Sequence, residues 1–249
     1  MGAKTVLYAL VSVTSVAYTF KTMFTLILFL SSEVSGLLNY KKVYKDISLW
    51  NGIVCNALLV VLFVSNHAIC ASKHLKLKMS SMGLSPIHRS LFNFTTCLTL
   101  NILMNQWVTL LPSLPLLWNL MSFQYISTIC QTVHAISWFF ILSIMYVLDI
   151  SEFFGLKQIQ YFHHEFGCPM TSKTVYAQNF YHNMRHPCFI GWTCVLWLVP
   201  CLSIDRFILA SGFTLYFLYG SRLEVKDFYY VRKMYYKKVT SIVRVSQSP

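Results

Sequence analysis

The stretch Leu49–Ala71, "LWNGIVCNALLVVLFVSNHAICA", decides the fold. It contains no Asp, Glu, Lys or Arg, and at roughly twenty residues it can carry an α-helix across about 30 Å of hydrocarbon. In lipid a backbone must satisfy its own polar groups, and a single segment of this composition does so only as a helix.

The surrounding chain has the same character. Of its 249 residues, 56% are hydrophobic and 11% are charged. That excludes an ordinary soluble domain and points to a polytopic membrane protein. Further apolar blocks run over Thr5–Leu30, Ser90–Leu111, Phe123–Leu148, Pro187–Leu202 and Ile204–Gly220. The sequence therefore predicts an all-α fold of about six transmembrane helices. Four are long spans, over 5–30, 49–71, 90–111 and 123–148. An inner loop, 149–186, leads to a helical hairpin, 187–220, and a basic C-terminal tail, 221–249. The hairpin blocks are short and meet at Ser203-Ile204-Asp205-Arg206, so the pair either crosses thinly or dips in and returns. No repeat or linker divides the chain, which reads as a single integral membrane domain over 1–249.

The first block is too long for a signal peptide and lacks a small-residue cleavage site, so it is expected to be retained. Val6 breaks the myristoylation pattern and the C-terminal Ser-Gln-Ser-Pro is no prenylation box. Lys73, Lys76, Lys78 and Arg89 lie between the second and third blocks, and the tail holds a second basic group. The positive-inside rule puts both regions, and both termini, on the cytosol-continuous side. A net charge of +12 fits an inner surface facing anionic lipid. No recognition motif indicates sequence-specific nucleic acid binding. Seven of the eight cysteines lie in or beside apolar blocks, without a Cys-x-x-Cys pair, and read as reduced apolar filler.

On this topology His67, Arg89, Asp149, Arg185, His186, Glu224 and Asp227 all fall near the inner face, where they are expected to approach one cavity. Pro187 suits the first position of a helix, so a positive helix end faces whatever Arg185 and His186 hold. Arg185 offers a planar fork to a carboxylate or phosphate. Glu224 and Asp227, three apart on one helix face, suit an ammonium or ribose hydroxyls. These four residues form the candidate cofactor site; no catalytic residue is assigned. His182 and His186 stand four apart, but Pro187 disfavours a helical His186, and no cysteine pair or His-Glu-x-x-His completes a set. No metal ligand is assigned. His134, deep in the fourth span, reads as a neutral histidine bonded to a neighbouring helix.

The run Arg185-His186-Pro187-Cys188-Phe189-Ile190-Gly191 resembles the Arg-His-Pro-x-Tyr-x-Gly motif of the isoprenylcysteine carboxyl methyltransferase superfamily, with Phe189 in place of tyrosine. A nearer resemblance is to the nurim family, related to that superfamily. It is carried by "HAISWFFILSIMYVLDISEFFGLKQIQYF" (134–162), "FVSNHA" (63–68), "HRSLF" (88–92), "MRHP" (184–187) and "DRFILA" (205–210). The resemblance implies a multi-pass protein of the inner nuclear membrane, with the endoplasmic reticulum membrane as the alternative. It also implies contact with the lipid bilayer and with nuclear envelope or lamina proteins. The superfamily's hairpin is followed by two adjacent glutamates, and here Lys226 stands at the first position and Asp227 at the second. A cation there works against a sulfonium. The expected function is therefore non-catalytic, with an inherited methyltransferase-like pocket. The alternative is an S-adenosylmethionine-dependent methyltransferase acting on a prenylated or lipid-like substrate.

Overall fold

The computed structural model describes residues 3–35, 48–110, 116–183, 188–220 and 225–247. In chain order the helices are α1 (Ala3–Ser35), α2 (Leu49–Ala71), α3 (Lys73–Ser81), α4 (His88–Gln106), α5 (Ile126–Val147) and α6 (Ile150–Phe153). They continue with α7 (Leu156–His163), α8 (Val175–Asn183), α9 (Phe189–Trp197), α10 (Ile204–Gly220) and α11 (Val225–Gln247). Two two-residue strands, β1 (Trp118–Asn119) and β2 (Cys201–Leu202), pair antiparallel. The fold is all-α and polytopic. By length and composition α1, α2 and α5 can each cross a membrane.

The seam between α1 and α4 is built from small polar groups. Ser12, Ser15, Thr19 and Thr22 are buried and recur three and four residues apart, so they line one face of α1. Ser15 Oγ donates to the Ser90 carbonyl at 2.7 Å, Cys97 Sγ to Thr19 Oγ1 at 3.5 Å, and Asn101 Nδ2 to Thr22 Oγ1 at 2.7 Å. The partners ascend together, so the two helices run parallel. Small residues let backbones approach in lipid, where hydrophobic burial supplies no net attraction between helices. The same polar residues make α4 less apolar than its neighbours, and it packs against both α1 and α2.

The third block, read from sequence as 90–111, leaves the helix after Gln106. Asn56 of α2 is the reason the backbone can open there. Its Nδ2 donates to the Val108 carbonyl at 2.8 Å and its Oδ1 accepts from the Val108 amide at 2.9 Å. One buried amide thus satisfies both backbone groups of Val108, as non-helical chain at membrane depth requires.

In the hairpin, α9 runs antiparallel to α5 and α10 parallel to α2. Both approaches are made at glycine. A Cβ on Gly191 would stand 2.8 Å from Ile141 Cγ1, and one on Gly212 would stand 2.6 Å from Val60 Cγ1. The hairpin tip is buried: Val199, Leu202, Ser203, Asp205 and Arg206 are all covered. β1 covers it, pairing Trp118 with Leu202 and Asn119 with Cys201. Loop 149–186 and the tail also carry helices: α6, α7 and α8 in the first, α11 in the second. Phe20 of α1 meets Phe154, with ring centroids 5.1 Å apart. Lys21 follows and is exposed on the outside of the bundle, where its long stem can snorkel.

Candidate functional site

The polar chemistry at one end of the bundle is organised by the corner between α5 and α7. Asp149 adopts φ 92°, in the left-handed region that costs an L-residue energy, and caps α6 by accepting from the Glu152 amide at 3.2 Å. It also accepts from Ser151 Oγ at 2.6 Å and forms an ion pair of 2.6 Å with Lys157 Nζ. Burial alone would raise its pKa. The Lys157 and Ser151 hydrogen bonds, the Glu152 amide and the Lys157 charge outweigh that and hold it at about 2.

Glu152 is buried and forms an ion pair of 2.7 Å with Lys173 Nζ. Lys173 lies over the Tyr181 ring, 5.0 Å from its centroid. The Tyr181 hydroxyl donates to the Leu148 carbonyl, and burial followed by the Glu152 charge pushes its pKa up. Burial and then Glu152 likewise raise Tyr230 of α11, which places α11 beside this corner. From α4, Arg89 Nε and Asn93 Nδ2 both donate to the Phe153 carbonyl, at 3.0 and 2.8 Å. The Arg89 guanidinium lies between the Phe92 and Phe153 rings, 5.1 and 5.2 Å from their centroids. His67 stacks edge-on against Phe92 at 4.7 Å and lies 3.3 Å from Thr96 Oγ1. Phe92 therefore connects His67 to Arg89.

Gly155 lets the corner dock. At φ +85° its absent Cβ would sit 2.5 Å from Ser90 Oγ and 3.0 Å from the Ser90 nitrogen. Only glycine fits both the backbone and the space.

Of the four candidate cofactor residues, Asp227 is described and is buried in the first turn of α11. Arg185, His186 and Glu224 lie outside the described residues. Lys226, next to Asp227, is exposed. Glu152, Lys157, Lys173 and Tyr181 complete the corner and are not among the residues that stand out in the sequence, all lying within the polar stretch 149–186. Their signal was faint: each is an ordinary polar loop residue until the corner folds.

A second polar cluster lies at the opposite end of α5, around His134. His134 Nε2 faces the Leu198 carbonyl at 3.1 Å and its Nδ1 faces Ser31 Oγ at 3.0 Å, while Trp138 Nε1 donates to Ser31 Oγ at 3.0 Å. A carbonyl only accepts, so Nε2 carries the proton. Nδ1 then accepts from the Ser31 hydroxyl, which accepts from Trp138. A neutral histidine in this tautomer gives each of the four groups a hydrogen-bond partner. Beside it Arg206 donates from Nη2 to the Val195 carbonyl at 2.7 Å and from Nε to the Leu196 carbonyl at 3.3 Å. Trp107 Nε1 donates to Asp205 Oδ2 at 3.3 Å. An ionisable pair inside an apolar block was the available signal for this cluster.

Among known proteins the chain is similar to Nurim from Xenopus laevis, 36% identical over 183 residues, covering 72% of this chain and 64% of that protein's length. Against Nurim from Mus musculus the identity is 32% over 203 residues, 80% of this chain and 77% of the relative. Against Nurim from Homo sapiens it is 33% over 189 residues, 75% of this chain and 71% of the relative. No family model and no solved structure matches the chain.

Proposed function

Since the chain belongs to the nurim family, we propose that it is a non-catalytic multi-pass protein of the inner nuclear membrane, in which a methyltransferase-like pocket persists as a structural element. One observation carries this reading. The charged groups at this corner are engaged within the protein: Glu152 with Lys173, Asp149 with Lys157, and Arg89 with the Phe153 carbonyl. Such a network ties α4, α6 and α7 and the loop before α8 together through charge-assisted bonds. Nuclear envelope or lamina proteins are the partners this reading implies, reached from the inner face.

A second reading has its own support. Asp227 is buried while Lys226 is exposed, so the charge that would oppose a sulfonium points away from the buried side of α11 that carries Asp227. A buried carboxylate there fits the ammonium or ribose of S-adenosylmethionine, with Arg185, His186 and Glu224 completing the candidate set. When bound, that cofactor would supply an activated methyl group for a prenylated or lipid-like acceptor. The chain's own contribution would be to hold its charged ends and exclude water.

Calorimetry with S-adenosylhomocysteine on purified protein separates the two readings. No heat of binding is expected. Micromolar binding that Arg185→Ala or Asp227→Asn abolishes, accompanied by methyl transfer to a prenylcysteine or lipid, would overturn the non-catalytic reading.

A further inference from the structure

α11 is amphipathic in an unusual way, because its apolar residues exceed what the protein covers. Asp227, Tyr230, Met234 and Lys238 lie on one side, buried or half-buried. That side packs on α8 and on the last turn of α5, where Lys238 Nζ lies 5.0 Å from the Tyr146 ring centroid. Tyr230 lies within electrostatic reach of Glu152, and Lys238, eight residues or about 12 Å further along the helix, lies over Tyr146. α11 therefore lies across that end of the bundle.

At 100° per residue, Phe228, Tyr235, Tyr236, Val239, Ile242 and Val243 fall on a second arc, and all six are exposed. Lys226, Lys233 and Lys237 fall on a third arc beside it and are exposed as well. Arg232 interrupts the apolar arc but lies 5.7 Å over the Tyr236 ring, with a stem long enough to reach the neighbouring polar side.

We propose that α11 is an interfacial helix whose exposed apolar arc enters the inner leaflet while Lys226, Lys233 and Lys237 bind the headgroups of anionic lipid. The two arcs lie side by side, as a helix in the plane of a bilayer needs. Charge complementarity chooses the occupant: the basic arc meets the negative surface potential of a cytosolic leaflet. Nucleic acid would engage the lysines but leave six apolar side chains in water. A second copy would bring the same basic arc against itself. The proposal stands on α11 alone and does not require the cofactor pocket.

Photo-crosslinking tests it on the full chain in vesicles of phosphatidylcholine and phosphatidylserine at about 7:3. A benzoylphenylalanine replaces Tyr236 or Val239, and adducts are identified by mass spectrometry. The expected product is a lipid adduct enriched about fivefold in phosphatidylserine over its share of the bilayer. Lys233→Glu with Lys237→Glu should remove the enrichment while Lys233→Arg with Lys237→Arg keeps it, which separates a charge effect from misfolding. Adducts to a second copy or to added duplex DNA, the absence of lipid adducts, or lipid adducts without phosphatidylserine enrichment would each overturn the proposal.

Discussion

Arg206, at the start of α10, closes the end of α9 by donating to the Val195 carbonyl at 2.7 Å. A helix end leaves its last carbonyls unpaired, and at membrane depth no water is available to take them. Val195 and Leu196 are fully covered, so the guanidinium is the cap that lets so short a helix end inside the protein. The arginine within the hairpin tip is thus an internal fastening between the two arms.

Arg206→Met should therefore leave two buried carbonyls unsatisfied. At about 1–3 kcal/mol for each buried group left unsatisfied, the loss is expected to exceed that of any exposed arginine substitution, such as Arg232→Met. Arg206→Lys should recover only part, since an ammonium lacks the fork that reaches both carbonyls. Thermal unfolding in detergent measures the order.

The closest approach of α10 to α2 gives a paired test. Gly212→Ala would put a Cβ 2.6 Å from Val60 Cγ1, and Val60 is buried and β-branched, with little freedom to turn away. An expected destabilisation of about 1–3 kcal/mol follows from overpacking. Val60→Ala should relieve the clash, so the double variant should be more stable than Gly212→Ala alone. Independent, additive losses in the double-mutant cycle would refute the contact.

How far the sequence carried can be judged residue by residue. Leu49–Ala71 was read as one apolar segment and is helix α2 over the same residues, because an uncharged run of that length has one stable form in lipid. The end of α4 was misread by several residues, since Trp107–Leu110 is as apolar as a helix would be. What opens it is Asn56, fifty-two positions away, and hydropathy does not encode that contact. His134 was legible as a histidine within an apolar span bonded to a neighbouring helix, but its partners Ser31 and Leu198 come from elements whose neighbourhood only the fold decides. For the inner site, Asp149 and Arg89 stood out as charges at block ends. Glu152, Lys157 and Lys173 did not, because polar residues in a polar segment carry no signal until Gly155 docks the corner on Ser90.

Asp149 supplies a pH dependence. Its folded pKa is depressed from the ordinary 3.8 to about 2, so its contribution is present above about pH 4 and is lost as the pH falls toward 2. The Lys157 pair is partly exposed and solvent-screened, so the effect should stay at or below about 1 kcal/mol. Asp149→Asn keeps an acceptor for the Glu152 amide and tolerates the left-handed backbone but loses the charge. The stability gap between the wild-type protein and this variant should be open at pH 5 and close by pH 2. A gap that persisted unchanged at pH 2 would contradict the ion pair.

Lys226 and Asp227 are neighbours with opposite surroundings, and that difference bears on function. Lys226 is exposed, so Lys226→Glu should change stability by no more than about 0.5 kcal/mol. Asp227 is 4% exposed, and Asp227→Ala should cost several times more, since removing a buried charge strands whatever it engages. Lys226→Glu also restores the glutamate pair-like charge of the methyltransferase superfamily at that position. If the non-catalytic reading holds, this restoration should not create binding of S-adenosylhomocysteine, because residue 226 faces away from the buried side of α11. Calorimetry on the variant reads the outcome directly: binding that appears with Lys226→Glu and is absent from the wild-type protein would mean that residue 226 lines the pocket, and that the lysine alone had silenced it.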